Sequence, residues 1–445
     1  AVSSSTIFKL FDKAGRDALK KPDAKADIYV KKGNAMGRLK SETGLSRDYI
    51  LPYLAHACME PMNATVHFIA PDRLKVWAPT QSPTGVVMSL SKATDLPKEA
   101  ITVVPTLLGG GFGRKGENDA VVCAALIAQE AKLPVQLIYS REEDLGHDSY
   151  RPAGWIRLRA RLKANNRIDS LHARLLSQNV FHSVAKRNGF PQGFKKDNAT
   201  VQGLDGLPYA IDHQLVEHQG IISDIPVGYW RSVGHSMNAF CIETFIDELA
   251  DTVKADPLDF RLNMLRQAPR HAAVLSAAAR HAGYGNVLDK GHAHGLALHE
   301  SFGSIVAQVV EVSLTGSENP NLDGLIIHKV TAAIDCGRAI HPDTVRGQIE
   351  GSIIFALSAA LYGRIDVENG VPRQRNFDSY PIVTMTNCPK INVHILNSGA
   401  DLGGVGEPGV PPLAPALVNA IARAGGKRLH SLPIQGQILR KTKGA

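Results

Sequence analysis

The sequence predicts a mixed α/β chain of the α+β class, built as two domains. Three observations carry that reading. A hairpin leads into a strand, a glycine loop and a helix before residue 140. A strictly alternating strand pair then precedes a long helical stretch. After residue 270, two long apolar strands run into a helix entered through proline. At 445 residues the chain has room for two to three domains of about 150 residues each.

Residues 1–45 open with serines and a short helical piece and turn polar through Lys31-Lys32-Gly33-Asn34; they read as a linker or surface wrap, with compact structure starting near Tyr49. Val66-His67-Phe68-Ile69 and Leu74-Lys75-Val76-Trp77 flank a Pro71-Asp72 turn and make a hairpin. Gln81 lies just past its end. The apolar run 101–108 feeds the loop Gly109-Gly110-Gly111-Phe112-Gly113-Arg114-Lys115. Residues 117–132 then read as a helix with Val122, Leu126 and Ile127 on its buried side, and 134–139 as a buried strand that completes a βαβ-like unit.

Residues 155–163 alternate Ile156, Leu158, Ala160 and Leu162 on one face with Arg157, Arg159, Arg161 and Lys163 on the other, and an Asn165-Asn166 turn starts a second strand. The basic face reads as solvated or set against a partner chain. A helical stretch over 240–265 closes a first domain, 46–270. The second, 271–445, carries strands over 305–314 and 325–335 and a helix that starts at Pro342, where a missing amide costs little. Gly347 and Gly351 on that helix permit close approach of another backbone. A last helix, 415–423, stops at Gly425-Gly426.

Composition narrows the function classes. With 44% hydrophobic and 21% charged residues, no apolar run approaches the roughly 20 residues of a spanning helix. The net charge of +8 is dispersed, whereas a nucleic-acid binder concentrates its basic residues in a stripe. Five cysteines far apart in sequence, with no CxxC pair, argue against structural zinc, a cysteine-held cluster or a disulfide scaffold. The chain starts without Met or an apolar signal core, so it is expected to be processed or a fragment of a longer product. His292, His294 and His299 match no ligand spacing. No G-x-S-x-G, HExxH or Walker sequence occurs.

Two glycine-rich loops remain, the one at 109–115 and Gly403-Gly404-Val405-Gly406-Glu407-Pro408-Gly409. Gly111 to Gly116 formally matches G-x-G-x-x-G between strand and helix, so a nicotinamide dinucleotide site is one reading. Against it, the glycines begin as a triplet, and Ser140-Arg141-Glu142-Glu143 is only loosely placed for a ribose-binding acid. Amides of such a loop equally cradle any anion, a metal-bound oxo group included. Glu407 precedes proline, which biases it to an extended conformation. It is a general base if an acidic proton lies within reach, and otherwise a surface acid.

Together with Ala78-Pro79-Thr80-Gln81, Trp230-Arg231-Ser232-Val233-Gly234, Asp335-Cys336-Gly337 and Gln348-Ile349-Glu350-Gly351, the two loops resemble the molybdenum-binding large subunit of the xanthine oxidase family. Met59-Glu60-Pro61-Met62-Asn63 and the WRSVG stretch most resemble its isoquinoline 1-oxidoreductase β-subunit branch. The resemblance runs from about residue 45 to 435. It implies a two-domain molybdopterin-binding architecture without the family's hammerhead domain, and molybdopterin cytosine dinucleotide as cofactor, with the pterin dithiolene holding the metal and no direct protein ligand.

By the same resemblance Glu407 is the catalytic base that deprotonates a metal-bound hydroxide, while hydride passes to a sulfido ligand. Gln81 matches the glutamine that bonds an oxo group, and Gly110, Gly111, Phe112, Gly113 and Arg114 belong to the loop opposite. Arg231 sits beside the metal, and Gln348, Gly404, Val405 and Gly406 contact the pterin. Arg151, Tyr229 and Trp230 are the expected substrate pocket. Purine-oxidising members carry Glu where this chain has Gly116, and carbon monoxide dehydrogenases carry Cys in the loop matching 229–234, where this chain has none. The relatives are longer, so a separate chain is expected to supply the N-terminal portion of the large subunit. Partners implied are a small subunit with 2Fe-2S clusters and a cytochrome c acceptor, in the periplasm. Hydroxylation of an N-heteroaromatic next to nitrogen, oxidation of an aldehyde to an acid, and an inactive assembly subunit are the three functional readings.

Overall fold

The computed structural model describes residues 2–17, 26–39, 44–188, 196–315, 322 and 324–439. In chain order the strands are β1 (Asp27–Lys32), β2 (Leu45–Leu51), β3 (Asn63–Ala70), β4 (Arg73–Ala78), β5 (Ile101–Pro105), β6 (Val135–Ile138), β7 (Gly154–Leu162), β8 (Ile168–Ser177), β9 (Ile211–Gly220), β10 (His292–Ser301), β11 (Ser304–Leu314), β12 (Leu325–Asp335), a short pair β13 (Val367–Glu368) and β14 (Val371–Pro372), and β15 (Lys390–Leu396). Besides the short pair they form three sheets, ordered β1-β9-β8-β7-β2, β5-β4-β3-β6 and β10-β11-β12-β15.

The hairpin of β3 and β4 forms as expected, but the unit built on it differs from a βαβ crossover. β5 lies parallel to β4 at one edge and β6 antiparallel to β3 at the other, so two strands separate the pair that the glycine loop and helix connect. A doubly wound nucleotide fold would make such strands neighbours. The helix Asp119–Ala131 buries Ala120, Val121, Ala124, Ala125 and Ala128, while Leu126 and Ile127, expected inside, are 45% and 47% exposed. Small residues let the helix approach β3 closely, so the alanine stripe faces inward and the large residues do not. β6 is an exposed edge rather than a buried strand.

The early segment, read as a connector, contributes the helix Ser4–Asp17 and one edge of the five-stranded sheet, β1, while the other edge, β2, begins where that segment ends. β1 pairs with β9 and β2 with β7, in a register that sets Asp48 opposite Arg157. Arg157 is buried and holds Asp48 through two bonds of 2.5 and 2.6 Å; Arg159 and Arg161 donate to the carbonyls of Leu39 and Arg38, and Lys163 pairs with Asp212. The basic face of β7 is therefore covered by this chain itself at Arg157, which corrects the expectation there, while Lys163 at its far end stays 40% exposed, as a solvated face would be.

Strands β11 and β12 and the helix Pro342–Leu361 lie where the sequence placed them. One apolar core runs from Tyr49 through Phe240, Leu275 and Val309 to Leu439, across the expected division near residue 270. At its centre the helix His235–Thr252 is buried along nearly its whole length. Fully buried Arg261 donates to Glu243 at 2.9 Å and to Asp247 at 3.4 Å, joining that helix to the helix Pro257–Met264. Burial alone would lower the Arg261 pKa, but the two carboxylates outweigh it and raise it. Around Gly347 and Gly351, expected to admit a second backbone, there is open space. Among the described residues, no helix is long and apolar enough to cross a membrane.

Buried His218 and His299 and half-buried His235 make stability depend on acidity. Burial lowers His218 and His235 to about 4 and His299 well below its ordinary value. Unfolding restores values near 6.5, so between those limits the unfolded state binds more protons. Stability is therefore complete above about pH 6.5 and is lost as the pH falls toward 4, by up to about 1.4 kcal/mol per pH unit for each histidine. Denaturant midpoints measured from pH 7 to 4.5 check this; a flat profile contradicts it.

Candidate cofactor and active site

Both glycine loops open on one cavity of about 690 Å³. Gln81, Gly110, Gly111, Phe112, Gly113, Tyr229, Trp230, Arg231, Gln348, Gly406 and Glu407 line it, joined by Leu108 and Val233. Of the residues singled out in the sequence, four lie elsewhere. Gly404 and Val405 belong to the second loop but not to the wall. The amide of Gly404 donates to Phe302 (2.8 Å) and its carbonyl accepts from Ser304 (2.7 Å). Arg114, expected at the cofactor, is 1% exposed and turned inward onto Asp119 (2.7 and 2.8 Å) and Asp148 (3.3 Å). Arg151, expected in the substrate pocket, is buried behind Trp230; it stacks on that ring at 5.5 Å and donates to the Pro52 carbonyl. Burial lowers its pKa to about 10.

The first loop is held from below by Glu60, which accepts from the Gly109 amide (2.6 Å) and pairs with buried Lys115. Burial pushes the Glu60 carboxyl up, but Lys115 and that amide outweigh it and hold it below its ordinary range. Gln81 accepts from the Gly113 amide (3.1 Å), so this N–H serves the loop instead of the cavity, and the amide NH2 of Gln81 stays available to a ligand. The amides of Gly111 and Phe112 make no hydrogen bond among the described residues. Phe112 has φ 53° and Gly113 φ 106°, a positive-φ turn for which glycine at the second position suits the backbone.

Glu407 is half-buried. Its Oε2 accepts the Ser232 amide at 2.7 Å, and its main-chain oxygen accepts the Ser232 hydroxyl at 2.7 Å. Burial raises its carboxyl above the ordinary range; the Ser232 bond and the Arg231 charge act the other way. Ser232 and Val233 hold φ values of 73° and 47°, the latter rare for a β-branched residue. Such strain persists where the surroundings impose it, and it clusters here, at the wall that fixes Glu407.

Arg231 donates to the Gly406 carbonyl (2.7 Å) and to the Gln348 side chain (3.0 Å) and lies over the rings of Phe112 and Phe355. Burial lowers its pKa to about 10, against the pull of Glu407. Phe355 stacks between Phe112 (4.6 Å) and Trp230 (4.7 Å). Sequence reading missed Phe355, although it stands seven residues after Gln348 and so shares that face of the helix. It also missed Ser232 and Glu60 as supports, both inside motifs already in view.

Free main-chain donors, an amide side chain, a guanidinium and a single carboxylate suit a bulky anionic group whose charge is met by donors. The histidines are placed differently. His292 and His294 face Glu311 at 2.9 and 3.8 Å, and His299 bonds His235 at 2.9 Å. No group of three metal-ligating side chains occurs among the described residues.

Comparisons with known proteins agree with this chemistry. The family described as molybdopterin cofactor-binding domain matches residues 20–265, and a second domain of that description matches 267–389. The chain belongs to the molybdopterin-binding domains of the xanthine oxidase family. It is 34% identical to isoquinoline 1-oxidoreductase subunit beta of Brevundimonas diminuta, over 85% of this chain and 48% of that one. It is 29% identical to a membrane-bound aldehyde dehydrogenase (pyrroloquinoline-quinone) of Gluconacetobacter polyoxogenes, over 89% and 54%. The chain thus spans about half the length of these curated relatives. The crystal structure of quinoline 2-oxidoreductase from Pseudomonas putida 86 superposes with TM-score 0.76 at 13% identity, over 94% of this chain and 80% of that one, which shows the shared fold.

Proposed function

We propose that this chain is the catalytic portion of a molybdenum hydroxylase that oxidises an N-heteroaromatic substrate at the carbon next to nitrogen, with water as the oxygen source. The observation that carries the reading is the shared cavity, where Glu407 is the sole carboxylate among the described lining residues and shares the wall with the donors of the first glycine loop, Gln81 and Arg231. The residues fit a molybdopterin cofactor, proposed here in its cytosine dinucleotide form: the Gly111 and Phe112 amides, Gln81, Arg231 and Gln348 would hold it. When bound, it supplies an acidified, water-derived oxygen and takes up the electron pair of the broken C–H bond.

The rest is work for side chains of this protein. Glu407 accepts the proton that activates the oxygen, and the Ser232 amide fixes which carboxylate oxygen stays free for it. Tyr229, Trp230 and Leu108 bound the space left to a planar substrate. Electrons leave through a partner. The reading includes a small 2Fe-2S subunit, a cytochrome c acceptor, a chain equivalent to the remaining half of the large subunit, and a periplasmic location. Aldehyde oxidation is the second reading, favoured by the Gluconacetobacter relative.

Turnover of isoquinoline and of benzaldehyde by the purified complex, with a dye acceptor and with molybdenum content measured, separates the readings. Absence of molybdenum would favour an inactive assembly subunit. The raised Glu407 carboxyl sets the acid limb. A base works as carboxylate, so kcat/KM is expected to fall as the pH drops through a value above the ordinary carboxylate figure of about 4.3. Arg231→Met, which removes the opposing charge, is expected to move that limb further up; a limb that stays in place would separate Glu407 from the titration.

A further inference from the structure

We propose that His56 is a positioning residue for this site: it carries hydrogen on both ring nitrogens and, from beneath the first glycine loop, clamps the Tyr229 carbonyl against Gly113. His56 is 1% exposed. Its Nδ1 lies 2.8 Å from Asp148 Oδ1 and its Nε2 lies 3.0 Å from the Tyr229 carbonyl oxygen. A carbonyl only accepts. Asp148 is equally an acceptor here, since it already takes the main-chain N–H groups of His56 (2.6 Å) and Ser149 (2.7 Å) and pairs with Arg114 (3.3 Å). The Arg114 guanidinium and those two main-chain N–H groups, none of them part of the His56 ring, favour its ionised form. Two acceptors facing one imidazole leave both nitrogens as donors.

The consequence reaches the cavity through packing. A Cβ on Gly113 would fall 1.5 Å from the Tyr229 carbonyl oxygen and 3.2 Å from His56 Nε2. The carbonyl therefore occupies the place of a missing side chain, and Gly113 in turn donates to Gln81 on the cavity wall. An imidazole bare at Nε2 would set two lone pairs against each other and release the carbonyl from Gly113, and Gln81 with it. The role rests on the proposed function of the cavity, whereas the protonation does not.

Neutron diffraction from a deuterium-exchanged crystal of the complex at pH 7 reads the protons directly. Deuterium on both His56 nitrogens and none on Asp148 is expected; one bare nitrogen, or deuterium on Asp148, overturns the proposal. Asp148→Asn keeps the shape and removes the charge that holds the second proton, and His56→Gln removes one of the two donors. Each is expected to lower kcat about tenfold, as loss of a supporting partner does, with KM for isoquinoline or benzaldehyde unchanged. Wild-type kcat in both variants overturns the clamp. Should neither variant fold, the neutron result decides the proton claim on which the clamp stands. An inactive wild-type complex would count against the proposed function and leave the neutron result as it is.

Discussion

Glu407→Gln is expected to lower turnover of the cofactor-loaded complex about a thousandfold, near 4 kcal/mol of barrier, while the complex keeps its fold and its molybdenum. The reason lies in what the substitution spares. The Gln side-chain oxygen still accepts the Ser232 amide, and the Ser232 hydroxyl still donates to the main chain at residue 407. The flanking glycines and the strained turn at Ser232 and Val233 therefore hold their places. What disappears is a group that can take a proton. Steady-state kinetics beside metal analysis check the expectation; a variant within tenfold of wild type would remove Glu407 from the chemistry, and one that loses its metal would show it to be structural.

The second large effect is on stability. Arg261→Met is expected to cost about 3–5 kcal/mol, because it leaves carboxylates buried without their cation. Glu243 would keep the Tyr209 hydroxyl (2.5 Å) and the Leu298 amide (3.0 Å), and Asp247 would keep Arg423 (3.1 Å) and Arg428 (2.7 Å). Glu243 thus becomes the exposed weakness of the network, with donors but no nearby positive charge. Glu243→Gln added to Arg261→Met is expected to recover part of the loss. Denaturant unfolding of the single and double variants checks both; a cost under about 1 kcal/mol for Arg261→Met would mean that the cluster relaxes or takes in water.

Much of the site could be read from sequence because it is made of backbone. A loop that must turn left-handed and bring amides to a ligand has to be written in glycine, so both loops announced themselves, as did the carboxylate set in the second. Side chains whose role depends on distant partners did not. Arg114 looked like a cofactor contact within its loop, and only the fold reveals Asp148, 34 residues on, drawing it inward. His56 gave no signal because its partners, Asp148 and Tyr229, come from two other segments. The same holds for the fold. β1 is polar and short, and only its pairing with β9, remote in sequence, makes it a strand. On the helix Asp119–Ala131, an eye for large apolar residues chose Leu126 and Ile127, whereas close packing chose alanine.

The most direct test of the account is the source of the oxygen in the product. Turnover of isoquinoline by the complex in water enriched in heavy oxygen, under ordinary dioxygen, is expected to give a product that carries one solvent-derived oxygen atom. A product whose oxygen comes from dioxygen would contradict the assignment of Glu407 as the base that activates water.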